Sequence, residues 1–184
     1  MSLSAAPLAR HAGFSMLEVL IALIVISLGL LGIAGMQAAA INNTGIARSR
    51  SLGAIAADSM AAAMHANVAY WSNLSAANNN TWTVNASGVT SVNNSPSLTQ
   101  TTDCSTANCT TAAMAAYDTT QWGTGMLATL PGGSGQIACT AATSNSPASC
   151  TITVSWLEKL SKVNSTNMAA SATATAQYQM AVVP

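Results

Sequence analysis

The stretch that decides the fold is residues 13–36, which read GFSMLEVLIALIVISLGLLGIAGM. From Val19 to Met36 no charged residue interrupts the run, and Ser27 carries the only polar side chain. With its flanks, the run exceeds the roughly 20 apolar residues that a helix needs to span a bilayer. Glu18 lies inside this run, although a lone charge at mid-bilayer costs about 2.5–3.5 kcal/mol. The sequence therefore predicts an apolar helix whose one carboxylate needs an explanation.

Three kinds of N-terminal segment compete to explain this run. A secretory signal peptide has an apolar region of only about 7–15 residues, followed by a small-residue cleavage site, so this run is too long. An ordinary membrane anchor fits the length but leaves Glu18 unexplained. A leader cut before the apolar run would keep the helix in the mature protein and would make Glu18 a near-terminal residue. The short segment 1–13 favours this third interpretation.

The residues around Gly13 form a specific pattern. Phe14 follows the glycine, Glu18 is then the fifth residue, and an unbroken apolar run comes next. This pattern resembles the N-terminal signature of the type IV pilin and pseudopilin family, except that Ala12 stands where the family has a basic residue. The resemblance implies cleavage between Gly13 and Phe14 by a prepilin peptidase and N-methylation of Phe14. It also implies an assembly contact made by Glu18.

Physical chemistry agrees with a role for Glu18 at a helix start. The helix dipole favours a carboxylate in the first turn by about 0.3–1 kcal/mol. Cleavage after Gly13 creates an α-amine on Phe14, and residues four apart on a helix that starts at Phe14 share a face. The amine and the carboxylate can then pair within one chain or between neighbouring chains, and the resemblance implies the intermolecular pair. The alternative is a Glu18 side chain that only reaches the membrane interface.

The helical pattern continues past the membrane, which sets the domain organisation. Apolar residues recur at helical spacing, and no proline occurs between Pro7 and Pro96. The residues of this face are Leu52, Ile55, Ala56, Met60, Ala63 and Met64. We expect a leader over residues 1–13 and a helix over 14–67 that spans the membrane to about residue 41. A periplasmic or extracellular head follows over 68–184.

The head has the alternation and turn signals of a small mixed domain. We expect loop over 67–80, a hairpin within 81–92, a short helix over 112–130 and strands at 136–142, 150–157 and 172–183. Asp118, Trp122, Leu127 and the run Leu130-Pro131-Gly132-Gly133 resemble the mid-region of minor pilins of the type IV pilus modification group. The expected fold class is α+β and pilin-like, with a long N-terminal helix packed on a small C-terminal antiparallel sheet and a short extra helix.

The four cysteines, Cys104, Cys109, Cys139 and Cys150, all lie in the C-terminal half. An even count in a polar segment favours disulfides in an oxidising compartment. Zinc ligation is the alternative, but the cysteine spacings differ from paired C-x2-C motifs and His65 is the only histidine after Phe14. Proximity in the sequence favours Cys104–Cys109 and Cys139–Cys150 among the three connectivities that four cysteines allow.

Composition argues against several functions. Only 5% of residues are charged and the formal net charge is zero, whereas nucleic-acid binding needs clustered Lys and Arg. No nucleophile–base pair, metal-ligand constellation, phosphate loop or dinucleotide fingerprint is visible. Trp82, Trp122 and Trp156 are interpreted as packing residues. We therefore expect neither an enzyme nor a resident cofactor or metal.

The resemblance leads to one functional hypothesis and two alternatives. It implies a minor pilin that is inserted in the inner membrane, processed, and carried into a type IV pilus, where it supports assembly, adhesion and twitching motility. The implied partners are other minor and major pilins, a tip adhesin, the prepilin peptidase and the inner-membrane assembly platform. A minor pseudopilin of a type II secretion system shares the same N-terminus. A membrane-anchored binding module is the alternative from another class.

Overall fold

The computed structural model describes residues 13–159 and 173–184. Helix α1 runs Met16–Ala66, α2 is the single turn Val68–Trp71, and α3 runs Thr111–Gln121. A π-helical turn, Trp122–Met126, and a 3-10 turn, Leu127–Thr129, follow α3. The strands are β1 Thr81–Asn85, β2 Gly88–Ser91, β3 Ser134–Thr140, β4 Ser149–Lys159 and β5 Thr173–Val182. Contacts divide the chain into a unit that ends at Asn43 and a unit, Thr44–Pro184, which we call the head.

One five-stranded sheet forms the body of the head. Its order is β2-β1-β3-β4-β5, and every neighbouring pair is antiparallel. The β1–β2 hairpin turns at Asn85–Gly88, and Gly88 takes φ 138°, a backbone conformation that favours glycine. The predicted hairpin within residues 81–92 is therefore confirmed. The predicted α+β, pilin-like class is confirmed as well, because the second half of α1 packs on this sheet.

Four tryptophans dominate the core of the head. Trp71, Trp82, Trp122 and Trp156 are all buried, which confirms the packing role predicted for the last three. The rings of Trp71 and Trp82 meet edge to face with centroids 5.7 Å apart. Trp71 comes from α2, in a segment that we expected to be loop. That expectation was wrong because burial of the Trp71 ring holds a helical turn that local sequence does not indicate.

The buried face of α1 is lined mainly by small residues. It consists of Gly53, Ala56, Ala57, Met60, Ala61 and Met64. Ile55 was predicted to lie on this face but is 53% exposed, so that prediction was wrong. The cause is Trp156 of β4, whose ring lies so close to Gly53 that an added Cβ would be 2.5 Å from Cζ3. The sheet therefore packs against the glycine side of the helix rather than the isoleucine side.

The segment after α3 departs from the regular helix predicted over 112–130. Thr110 caps α3, since its Oγ1 accepts a hydrogen bond from the Ala113 amide at 3.2 Å. Beyond Gln121 the backbone widens into the π-turn, and Gly123 approaches the Asn85 carbonyl so closely that no Cβ would fit. The Trp122 Nε1 donates to the Ala56 carbonyl of α1 at 2.8 Å. These two contacts with other elements account for the wider turn.

Two disulfides join the cysteines in the expected pairs. Cys104 bonds Cys109, and Cys139 bonds Cys150. The second pair lies between directly opposed residues of β3 and β4. The described residues contain no free cysteine, which agrees with the disulfide interpretation.

An ion pair ties α1 to the end of β4. Arg50 donates from Nε and Nη2 to the two oxygens of Glu158, both at 3.0 Å. The Trp156 Nε1 donates to the same carboxylate at 3.1 Å, and the Glu158 side chain is only 10% exposed. The Arg50 hydrogen bond is the main reason that the pKa of Glu158 lies below its ordinary value. Glu158 thus fixes both the helix and the ring that packs on Gly53.

Candidate processing and assembly site

Ser15 sets the start of α1. Its carbonyl accepts hydrogen bonds from the amides of Glu18 and Val19 at 3.0 and 3.2 Å, and its Oγ accepts one from the Leu17 amide at 3.3 Å. A serine cap of this kind typically stabilises a helix by about 1 kcal/mol. The helix begins at Met16, so our expectation that it begins at Phe14 was wrong.

The capping serine was readable from the sequence, although we did not predict it. Ser15-Met16-Leu17-Glu18 has the Ser-x-x-Glu pattern of a capping box directly before an apolar run. In a complete box the glutamate side chain also bonds the amide of the capping residue. Within residues 13–159 and 173–184 the Glu18 carboxylate has no hydrogen-bond or ion-pair partner. The serine half of the box is formed, and the carboxylate is left available.

Phe14 and Glu18 face the same side of the helix start. Together with Val19, Ala22, Leu23 and Ile26 they line an open groove of about 420 Å³. Phe14 is 84% exposed, and no described residue has an atom within 4 Å of where a Cβ of Gly13 would be. Cleavage between Gly13 and Phe14 stays a prediction. Residues 1–12 of the predicted leader lie outside the described residues.

The position of Phe14 changes the geometry argued from sequence. Since Phe14 precedes the first helical turn, regular i, i+4 spacing does not hold its backbone nitrogen opposite Glu18. The groove still brings the phenyl ring and the carboxylate to one surface. That surface is apolar apart from one acid, which suits contact with a second apolar surface that carries a positive charge.

The first half of α1 is apolar on every side. Its large apolar side chains, from Met16 to Ile41, are all exposed. The most apolar 18-residue window has a mean hydropathy of 2.7 and none of it is buried, so α1 is long and apolar enough to cross a membrane. A helix that is apolar all round needs an apolar environment, either lipid or other helices. The expected membrane limit near residue 41 stays a prediction.

The described residues of the head can be compared with the ligand sets that hold metal ions in proteins. Nowhere in residues 13–159 and 173–184 do three His, Cys, Asp or Glu side chains gather to hold a metal ion. His65 is exposed near the end of α1. The prediction that the chain is not an enzyme remains a prediction.

Comparison with known protein families finds a match at the N-terminus. Residues 8–34 match the family model described as the prokaryotic N-terminal methylation motif. No curated protein and no solved structure matches the chain. The match includes Gly13, Phe14 and Glu18, the residues predicted for cleavage, methylation and assembly. The chain thus carries the N-terminal methylation motif at the start of a helix long and apolar enough to cross a membrane, and its fold is pilin-like.

Proposed function

We propose that this chain is a minor pilin, which supports assembly of a type IV pilus and thereby adhesion and twitching motility. The observation that carries the proposal is the Glu18 carboxylate, which has no partner among the described residues, at the start of a helix whose first half leaves all its large apolar side chains exposed. Such a helix is suited to two successive environments, the bilayer and a bundle of like helices. The methylation motif at residues 8–34 supports the same proposal.

Processing would complete the assembly site. A prepilin peptidase cuts after Gly13 and methylates the new amine of Phe14. In an apolar bundle an isolated carboxylate is costly, and an ion pair there gains more Coulomb energy than in water. Glu18 of one subunit therefore pairs with the Phe14 amine of its neighbour. Because Phe14 is outside the helix of its own chain, its backbone is free to adjust to that neighbour.

The head favours a pilus subunit over a secretion pseudopilin. It is rich in Thr, Ser and Asn and carries two disulfides, which suits a surface filament exposed to an oxidising environment. The protein first sits in the inner membrane with its head in the periplasm and then moves to the cell surface. Its partners are other minor and major pilins, a tip adhesin and the inner-membrane assembly platform.

The second candidate is a minor pseudopilin of a type II secretion system. The matched N-terminal motif favours it as much as a pilin, because both classes have this N-terminus. Loss of the protein would impair pilus assembly if it is a minor pilin and protein secretion if it is a pseudopilin.

Gene deletion tests the proposal when three traits are scored together. We expect fewer surface pili and reduced twitching, normal protein secretion, and recovery of both defects when the wild-type gene is restored. A secretion defect with normal pili would instead support the pseudopilin. Normal pili, twitching and secretion in the deletion strain would contradict both candidates.

A further inference from the structure

A small cleft in the head lies between α1 and α3, far in sequence from the processing site. Ser59, Met60 and Ala63 of α1 form one wall, and Asp118 and Gln121 of α3 form the other. Trp122 and Met126 of the π-turn close its floor. Its volume is about 210 Å³, below the range of roughly 300–1,000 Å³ that is typical of clefts for drug-sized ligands. The cleft is therefore the size of a side chain rather than of a cofactor.

Asp118 is the only charged residue of this cleft. Its side chain is partly buried, and within the two described ranges its carboxylate has no hydrogen-bond or ion-pair partner. Burial raises the pKa of the Asp118 carboxyl above its ordinary value. Partly buried carboxylates usually have a partner, since burying an unpaired charge is costly. The cleft thus holds a partly buried carboxylate that has no protein partner in the described part of the head.

The two arginines whose side chains the structure describes, Arg48 and Arg50, do not pair with Asp118. Arg50 is bound to Glu158, and Arg48 lies on α1 about three turns before Ser59. Lys159 ends β4, and its backbone pairs with Thr173. Of the remaining basic residues, Arg10 and Lys162 lie outside the described residues. Neither of the two described arginine side chains therefore pairs with Asp118.

We propose that this cleft receives a lysine side chain from a neighbouring filament subunit. Three groups around it can accept hydrogen bonds, namely the Asp118 carboxylate, the Ser59 hydroxyl and the Gln121 amide oxygen. An ammonium has three donors that can address separate acceptors. The Met60, Met126 and Trp122 side chains provide the apolar walls that a lysine stem packs against. The inference rests on the proposed role as a filament subunit.

Hydrogen bonds hold the residues that line the cleft in place when no ligand is bound. Trp122 is held by its hydrogen bond to the Ala56 carbonyl, and Ser59 donates to the same carbonyl at 2.9 Å. The Ser59 oxygen therefore keeps its lone pairs for an incoming donor. The π-turn brings Trp122 and Met126 to the same cleft, and π-turns inside helices occur frequently at functional sites.

Carbodiimide coupling tests the proposal directly, since it joins a carboxylate to an amine in contact with it. The full-length protein is coupled in sheared pili and in inner membranes, in the presence of methylamine as a competing small amine. We expect mass spectrometry to find Asp118 joined to a lysine of a different protein. The Asp118→Asn variant should lose this product, whereas the matched Asp58→Asn variant, altered at an exposed acid next to Ser59, should keep it.

Three results would overturn the proposal. They are Asp118 coupled to methylamine instead of lysine, Asp118 unmodified while Asp58 reacts, and Asp118 joined to Lys159 or Lys162 of its own chain. Incorporation provides a second readout. We expect Asp118→Asn to reach pili at about one tenth of the wild-type level or less, because losing one partner of a close interfacial charge pair weakens binding by more than tenfold.

The unfolding temperature of Asp118→Asn distinguishes a loss of folding from a loss of the cleft contact. Asp118→Asn removes a desolvated charge, so its unfolding temperature should equal or exceed that of the wild type. Equal incorporation of Asp118→Asn and wild type would contradict the cleft contact. Absence of the wild-type chain from pili would instead contradict the proposed function, and the membrane sample would still report the Asp118 contact.

Discussion

Replacing Gly53 with alanine tests how α1 packs on the sheet. The new Cβ would lie 2.5 Å from Cζ3 and 2.9 Å from Cη2 of Trp156, whereas carbon atoms prefer separations of about 3.5–4.0 Å. Trp156 is buried, and its Nε1 is bonded to Glu158 at 3.1 Å. The ring therefore cannot yield without disturbing the Arg50–Glu158 pair.

Two opposing terms decide the size of the effect. Alanine in place of glycine stabilises a helix interior by about 0.8–1.0 kcal/mol, whereas overpacking a core costs about 1–3 kcal/mol. With partial loss of the Trp156 hydrogen bond, we expect a net loss of about 1–2 kcal/mol. Gly45 is the matched control in the same helix, because no atom of the described residues lies within 4 Å of its added Cβ. Gly45→Ala should gain up to about 1 kcal/mol.

Thermal unfolding of the full-length protein in detergent micelles measures the difference. All four tryptophans are buried in the head, so their fluorescence reports on the head alone. At about 2–4 °C per kcal/mol, the unfolding temperature of Gly53→Ala should fall below the wild type and that of Gly45→Ala should equal or exceed it. A Gly53→Ala protein as stable as Gly45→Ala would refute the packing of Trp156 on Gly53.

Three further predictions concern Glu18, the disulfides and Glu158. Glu18→Ala should insert into membranes normally but be depleted from sheared pili, as judged by immunoblot; undiminished incorporation would remove Glu18 from the assembly contact. Reduction should add four hydrogens to the intact mass, because the chain has two disulfides; a native protein with free thiols would contradict this. Replacing Cys139 and Cys150 by serine should lower the free energy of unfolding in urea by about 2–3 kcal/mol. Arg50 lowers the pKa of Glu158 in the folded state, so their pairing stabilises the head at pH values above the unfolded carboxyl pKa of about 4.3, and this stabilisation is lost as the pH falls through the lower folded pKa. The difference in unfolding free energy between wild type and Glu158→Gln should therefore shrink in acid. A difference that does not change with pH would count against the pair.

Local and strongly patterned features of this chain were predictable. The apolar run after Glu18 indicates its own helix, and alternation with a glycine turn indicates the β1–β2 hairpin. The disulfide pairs followed from proximity along the chain. Ser15 belongs to the same class, since its Ser-x-x-Glu pattern is a local signal that the sequence contains and that we overlooked.

Features that depend on distant contacts were not predictable. Ile55 and Gly53 are two residues apart on α1, and only the position of Trp156 decides which of them faces the sheet. The π-turn after α3 depends on the approach of Gly123 to the Asn85 carbonyl. The Asp118 cleft likewise exists because α3 lies against α1, which the pattern of neither helix reveals.

Mass spectrometry of N-terminal peptides from sheared pili and from membranes tests the central claim most directly. Our account predicts that the chain in pili begins at Phe14 and that its amine is methylated, since residues 8–34 match the methylation motif. A chain found only in membranes, or one whose N-terminus is uncut, unmethylated or generated at another residue, would contradict the account.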